Sequence, residues 1–523
     1  EEACAPIVNF KRIKPILDEN NKFNIENEEV PMRRINPKER MFKNRDEEII
    51  YTGDRGYKLA DVFENKVKLD DFVAQLSYND LICMFRGEGM CSPKVTPGTA
   101  AAFGGITESL RNFGIPVACC ADGPSGIRMD CGTNAFSLPN GTALGCTFNV
   151  DLVKKLYKMT GIELCRNKID SLLGPGMNIH RNPLNGRNFE YVSEDPILTG
   201  KIGAAQVIGI QEAGSTATIK HVCANNQEAS RRFVDSIVSE RALREIYLKG
   251  FEIAVKEGKA RSVMTTYNPV NGIWTAGSYD LCTTILRKEW GFDGIVMTDW
   301  WAEANTEGEK STRENKAPMV LAQNDLYMCV SNSLENPEND NVKERFEAGE
   351  VTRSDLQRNA KNILKFIMKS QAMLHELNLI SKEDLEEING QDDDGNISLE
   401  DIVYYYADKD SNDIIIDASN FNNKKGDSEV FGISLNELGL YNIEITMKSE
   451  QGSLSQLPLS IYYDNALKST ITIRGTEGEW VTESRELGFI FGVNHYIKLY
   501  FGASGLDIDK VVIKFVGKGK LPF

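Results

Sequence analysis

Histidine is scarce in this sequence: His180, His221, His375 and His495 are the only 4 in 523 residues, so chemistry that draws two imidazoles from one loop has little to work with. No stretch approaches the ~18 consecutive apolar residues of a membrane-spanning helix. The chain opens with Glu1-Glu2-Ala3-Cys4 rather than with a basic segment followed by an apolar one. The expectation is a cytoplasmic protein with no membrane partner, whose residue 1 is an internal or processed start. Lys/Arg-rich runs are absent and the formal net charge is −16, which removes the electrostatic footprint of a nucleic-acid binder and suits a neutral substrate. The 11 cysteines include no C-x-x-C pair, so neither a disulfide framework nor a zinc ribbon is indicated, and no metal or cofactor is expected. Asn140-Gly141-Thr142 and Asn396-Ile397-Ser398 have the form of glycosylation sequons, triplets that arise often by chance.

What is present is a change of texture along the chain. Residues 1–55 are charged and interrupted by Pro6, Pro15, Pro31 and Pro37; they read as a connector, the tail of an upstream β-sandwich. From 56 to 370, short apolar runs alternate with amphipathic segments, the pattern of βα units around a parallel sheet. Strands are expected at Ile115–Cys120, Ser171–Leu173, Thr216–Ile219, Ser262–Thr265 and Gly294–Met297, with helices at Val150–Asn167, Ser239–Glu257, Tyr279–Trp290 and Thr352–Met368. Ser239 followed by Glu240 has the chemistry of a helix start, a side-chain oxygen for free amides and a carboxylate for the N-terminal dipole. Residues 371–400 turn acidic and read as a linker. Residues 401–523 alternate in the strand period between frequent turns, as in an antiparallel β-sandwich. The fold class is therefore α/β: a (β/α)8-type, TIM-like barrel followed by an antiparallel β-sandwich.

In such a barrel the loops at the C-terminal strand ends converge on one mouth. The expected strands end at Asp122, then Asn178 with Arg181 and Arg187, then Lys220 with His221, then Tyr267 with Asn268, then Asp299 with Trp300. Any one of these polar residues is most often a turn or cap residue. Five strands delivering hydroxyl-binding groups to one end weaken that bland reading. The motifs Gly186-Arg187-Asn188-Phe189-Glu190, Lys220-His221-Val222-Cys223-Ala224-Asn225-Asn226-Gln227-Glu228 and Val296-Met297-Thr298-Asp299-Trp300 resemble the barrel of glycoside hydrolase family 3. Asp122-Gly123-Pro124-Ser125-Gly126 and Met264 to Gly272 are similar to its β-glucosidase branch.

The resemblance implies a retaining exo-acting β-glucosidase, taking a β-linked gluco-oligosaccharide or an aryl β-glucoside. Asp299 would be its nucleophile, and Asp122, Arg187, Lys220, His221, Tyr267 and Trp300 would bind substrate. Asp122 offers two acceptors for neighbouring hydroxyls, Lys220 and His221 supply donors, and Arg187 with Lys220 should hold the Asp299 carboxyl ionised. A β-xylosidase with the same aspartate, or an inactive carbohydrate-binding barrel, are the alternative readings. Retention needs a second carboxyl group ~5–5.5 Å away. The family's His-Asp variant is disfavoured, because Val222–Asp235 contains no further histidine. In the β-glucosidase branch the acid comes from an α/β-sandwich domain that normally follows the barrel. The expectation is that here it lies on an upstream segment or partner chain of a circularly permuted protein, with Glu190, Glu194 and Glu228 as in-chain alternatives. A homo-oligomer is also allowed.

Through Gly439-Leu440-Tyr441-Asn442-Ile443, Gly478-Glu479-Trp480-Val481-Thr482 and Gly505-Leu506-Asp507-Ile508-Asp509-Lys510-Val511-Val512, the C-terminal region resembles a family 6-like carbohydrate-binding module, with Tyr462, Tyr463 and Trp480 as candidate sugar platforms. Asp392, Asp394, Gly395, Ile397 and Asp401 suggest part of a calcium loop, but Gly390 at its first position has no carboxylate to give, which favours a solvated linker.

Overall fold

The structure, a computed structural model, describes residues 3–90, 92–130, 135–380, 402–464, 466–491 and 493–519. The sequon at Asn396, the calcium-loop residues and most of the expected linker lie outside these. Two compact units are formed, one of Glu1–Gly89, Ala101–Ile127 and Phe136–Asn389, the other of Met90–Ala100, Arg128–Ala135 and Gly390–Phe523. Two stretches inside 56–370 thus cluster with the C-terminal residues.

The first unit is built on eight short strands: β1 (Arg86–Glu88), β2 (Ala101–Gly104), β3 (Val117–Asp122), β4 (Ser171–Leu173), β5 (Thr216–Val222), β6 (Ser262–Thr265), β7 (Ile295–Met297) and β8 (Tyr327–Val330). They form one sheet in the order β7-β6-β5-β4-β3-β2-β1-β8, and a parallel bridge from Met297 to Leu326 nearly closes it. The sheet is not wholly parallel. Strand β2 runs antiparallel to both neighbours.

Strand β1, Arg86-Gly87-Glu88, carries no apolar run for such a reading to use. Arg86 and Glu88 are both buried, Arg86 by an ion pair to Asp340 (2.7 Å) and a hydrogen bond to the Ser333 carbonyl (2.8 Å). Such charges enter a core only when paired and hydrogen-bonded. The helices follow their caps. Val150–Arg166 begins where Asn149 accepts from the Leu152 amide, Pro196–Glu212 where Asp195 accepts from Ile197 and Leu198. These two helices approach closely at Gly161 and Gly209, where an added Cβ would meet Ile210 or the Lys154 carbonyl at under 3 Å. Arg353–Ile367 starts with a reciprocal Thr352/Asp355 cap. Asp280–Glu289, expected as α-helix, is wound as a π-helix.

Within 1–55 the strands Lys11–Leu17 and Phe23–Glu29 pair with each other, largely exposed. The segment is tied down by a buried Arg40–Asp280 ion pair (2.9 Å) and by Asn271 Nδ2 donating to the Cys4 carbonyl (2.8 Å).

The second unit holds β9 (Tyr404–Tyr406), β10 (Ile414–Asp417), β11 (Ser428–Ser434), β12 (Gly439–Lys448), β13 (Gln456–Tyr463), β14 (Ala466–Arg474), β15 (Val481–Ile490), β16 (Asn494–Phe501) and β17 (Asp507–Gly517). Five strands pair as β9-β11-β16-β13-β14 and four as β10-β17-β12-β15; every pair is antiparallel except β9 with β11. Alternate residues of both sheets, among them Ile433, Ile443, Ile445, Leu459, Ile497 and Val511, enter one apolar core. Of the candidate platforms, Tyr463 donates to or accepts from His495 Nδ1 (2.6 Å) and packs on that core, the Lys498 ammonium lies 4.0 Å over the Tyr462 ring, and Trp480 stays 48% exposed.

Candidate active site

The five residue groups read from the sequence follow five adjacent, mutually parallel strands, β3 to β7. Asp122 closes β3, Asn178 and Arg187 lie beyond β4, Lys220 and His221 sit within β5, Tyr267 is two residues past β6, and Asp299 is two past β7. Parallel neighbours carry their C-terminal ends to the same edge, so the polar residues meet.

Strand β5 needs a further device. In a regular strand Lys220 and His221 would point to opposite faces. The ladder to β6 shifts register between Ile219 and Val222, so that Lys220 and His221 together span the place of one residue, Met264. A bulge of this kind re-aims side chains. The Lys220 ammonium then reaches Asp122 (2.6 Å), while His221 Nε2 lies 3.6 Å from Asp299 Oδ2. Asn178 holds the His221 backbone on both sides, donating to its carbonyl (2.8 Å) and accepting from its amide (3.0 Å).

Asp299 accepts from the Trp300 amide (2.8 Å) and from the Tyr267 hydroxyl. Its side chain is only 13% exposed, and burial pushes the carboxyl above its ordinary range; Arg187 and Lys220 act in the opposite direction without cancelling it. The expectation of a carboxyl held low by these cations is thus corrected, because withdrawing the group from water costs its charged form more than the cations return. Burial, with Arg187, Lys220 and Arg231, also keeps His221 neutral. Arg187 stays charged: burial opposes it, but Tyr191, Glu190 and Asp299 outweigh that. Glu190 is committed to an ion pair with Arg187, Glu194 is exposed, and Glu228 pairs with Arg231 (2.8 Å). Trp300 and Trp301 are both buried. Asn140 accepts from the Ala143 amide (2.9 Å) as a helix cap.

Four participants escape the strand-end reading. The Tyr191 hydroxyl meets His221 Nδ1 (3.3 Å) and accepts from Asn225 (2.8 Å). Arg231 and Arg232 place their guanidinium carbons over the Tyr267 ring, each 4.6 Å from its centroid. The one sequence signal for the two arginines is their adjacency, Arg231-Arg232, in the loop that follows the Lys220 motif.

Residues 94–366 match the glycosyl hydrolase family 3 N terminal domain. The chain belongs to glycosyl hydrolase family 3. It is 48% identical over 514 residues to a β-glucosidase of Ruminococcus albus, covering 98% of this chain and 53% of that protein. A β-glucosidase crystal structure from Paenibacillus barengoltzii is similar at TM-score 0.72 and 45% identity, over 98% of this chain and 54% of the other. β-Glucosidase 3B from Thermotoga neapolitana in complex with α-D-glucose is 32% identical at TM-score 0.53, over 69% of this chain and 51% of that one. The family 3 chain described here therefore spans about half the length of the relatives it matches.

Proposed function

We propose that this chain is the nucleophile-bearing part of a retaining exo-acting β-glucosidase, a TIM-like barrel that removes terminal non-reducing β-D-glucose through a covalent glycosyl–Asp299 intermediate. The observation that carries the reading is the convergence of Asp299, Tyr267, His221, Arg187 and the Lys220–Asp122 pair at one strand edge. Asp122 and Lys220 would grip neighbouring hydroxyls of the glucose, and Arg187 and His221 others. Asp299 would attack the anomeric carbon, and Trp300 would line the same mouth. A carboxyl raised by burial and only partly offset by its cations gives a nucleophile whose charge is not over-stabilised.

No second carboxyl group in the described site is free of a structural partner and aimed at Asp299, which supports an acid/base supplied from outside this chain segment, from an upstream α/β-sandwich or a partner chain of a circularly permuted cytoplasmic protein. The two sheets of the second unit are read as a β-sandwich resembling a carbohydrate-binding module, with Trp480 as its exposed platform.

The test is leaving-group dependence of the 523-residue chain. A dinitrophenyl β-glucoside needs no proton on its departing oxygen, whereas cellobiose does. The activated substrate should glycosylate Asp299 and the intermediate should accumulate, with azide rescuing its breakdown. Asp299→Ala should lower turnover more than ~100-fold, as loss of covalent catalysis demands. Ordinary cellobiose hydrolysis without an azide response would place the acid within this chain.

A further inference from the structure

The nucleophile loop is enclosed by a chain of contacts that returns on itself. From His221 it runs through the Tyr191 hydroxyl (3.3 Å) to Asn225 (2.8 Å), then Glu228 (3.1 Å), then Arg231 (2.8 Å). Arg231 lies over the Tyr267 ring, and the Tyr267 hydroxyl donates to Asp299, which faces His221 again. Arg232 lies over the same ring, fixed from two sides: its guanidinium donates to the Trp301 carbonyl (2.9 Å), and its own carbonyl accepts from Trp274 Nε1 (2.9 Å). Trp301 is two residues past Asp299, so the loop that carries the nucleophile also anchors one of the cations.

Resting on the reading of Asp299 as nucleophile, we infer that Arg231 and Arg232 are positioning residues that act through Tyr267: their cations over the ring strengthen the phenol as a donor and so hold Asp299 ionised and aimed. A cation over an aromatic face draws on ring electron density, and a phenol that has lost density gives a stronger hydrogen bond to a carboxylate. The groups facing Asp299 are Arg187, Lys220, His221 and Tyr267; those facing Tyr267 are Asp299, Arg231 and Arg232. Burial and then Asp299 push the Tyr267 phenol up, and the two arginines are what opposes them. Arg231 also acts on His221 and Arg232 also holds the Trp301 carbonyl, so the Tyr267→Phe background is what isolates the route through the ring.

The experiment follows inactivation of the 523-residue chain by 2,4-dinitrophenyl 2-deoxy-2-fluoro-β-glucoside as a function of pH. In that step Asp299 Oδ bonds to the anomeric carbon as the bond to dinitrophenolate breaks and carries its electron pair away. Arg231→Ala and Arg232→Ala should each raise the acidic limb by about half a pH unit and slow inactivation below it about threefold, on the scale of one cation–π contact made by a half-buried cation. Arg232→Lys, which keeps a cation, should recover most of the loss. In the Tyr267→Phe background, Arg232→Ala should add no further shift. Arg232→Gln is carried through the same cycle, so that a variant too unstable to assay does not decide the outcome. An equal shift in the Tyr267→Phe background, or an unshifted limb with only a lowered Tm, overturns the clamp. A label found on a residue other than Asp299 overturns the nucleophile reading instead.

Discussion

Along β12 every second residue from Gly439 to Met447 is buried, and the core it enters with its neighbours is formed of Ile, Leu, Val, Met, Phe, Tyr and Ala. Along β5 all seven residues, Thr216 to Val222, are buried, and two of them are Lys220 and His221; β1 buries Arg86 and Glu88. The second unit separates apolar from polar by strand period, whereas the first encloses charge and pairs it. A sheet with one wet face needs only alternation, but a sheet covered on both faces must satisfy each buried ion by geometry. The candidate site lies where charge is already enclosed.

That contrast can be broken at its seams. Arg86→Ala removes one member of a buried pair and leaves Asp340 uncompensated; the expected loss is ~3–5 kcal/mol, read as a lowered chemical-denaturation midpoint. A loss under about 1 kcal/mol would mean that β1 and β8 do not depend on that pair. In the second unit, Ile443→Ala should cost ~2–5 kcal/mol through lost transfer energy and a cavity. Its melt should shift while inactivation by the fluoroglucoside keeps its rate; a parallel loss of inactivation would contradict the division of labour. Tyr441→Phe removes a hydroxyl that donates to the Glu437 carbonyl (2.8 Å), and should lower stability by ~0.5–1.5 kcal/mol, measured by calorimetry.

Asp299→Asn should act in the opposite direction. A carboxyl whose pKa is raised on folding binds its proton more tightly in the native state, so its stabilising contribution is present below the unfolded value near 3.8 and is lost as pH rises through the higher folded value. The amide should therefore raise Tm at neutral pH, and the gain should shrink as the pH falls through the carboxylate range. An unchanged or lowered Tm at neutral pH would show that Arg187, Lys220 and Tyr267 fully offset the burial of Asp299.

Much of the frame can be read from local chemistry. Asn149 and Thr352 announce helices because their side chains satisfy free amides, and Ile443, Ile445 and Met447 announce a strand because period two is the period of the pleat. Asp122, Lys220 with His221, Tyr267 and Asp299 are legible in the same way, since an apolar run that stops at a polar residue marks where a buried strand meets its loop. Strand β1 could not be read this way: Arg86 looks like a surface residue until Asp340, 254 positions away, is seen beside it.

The two textures, the barrel strands around the candidate site and the residue types gathered there are written in residue order, because they follow from periodicity and from the family motifs. Folding in three dimensions is what makes β2 run backwards, turns Lys220 and His221 to the same mouth through a bulge, lays Arg231 and Arg232 over Tyr267, and pushes Asp299 up by burial rather than down by its cations. Each of these is a balance among groups far apart in the chain, and distance in space is not written in local pattern.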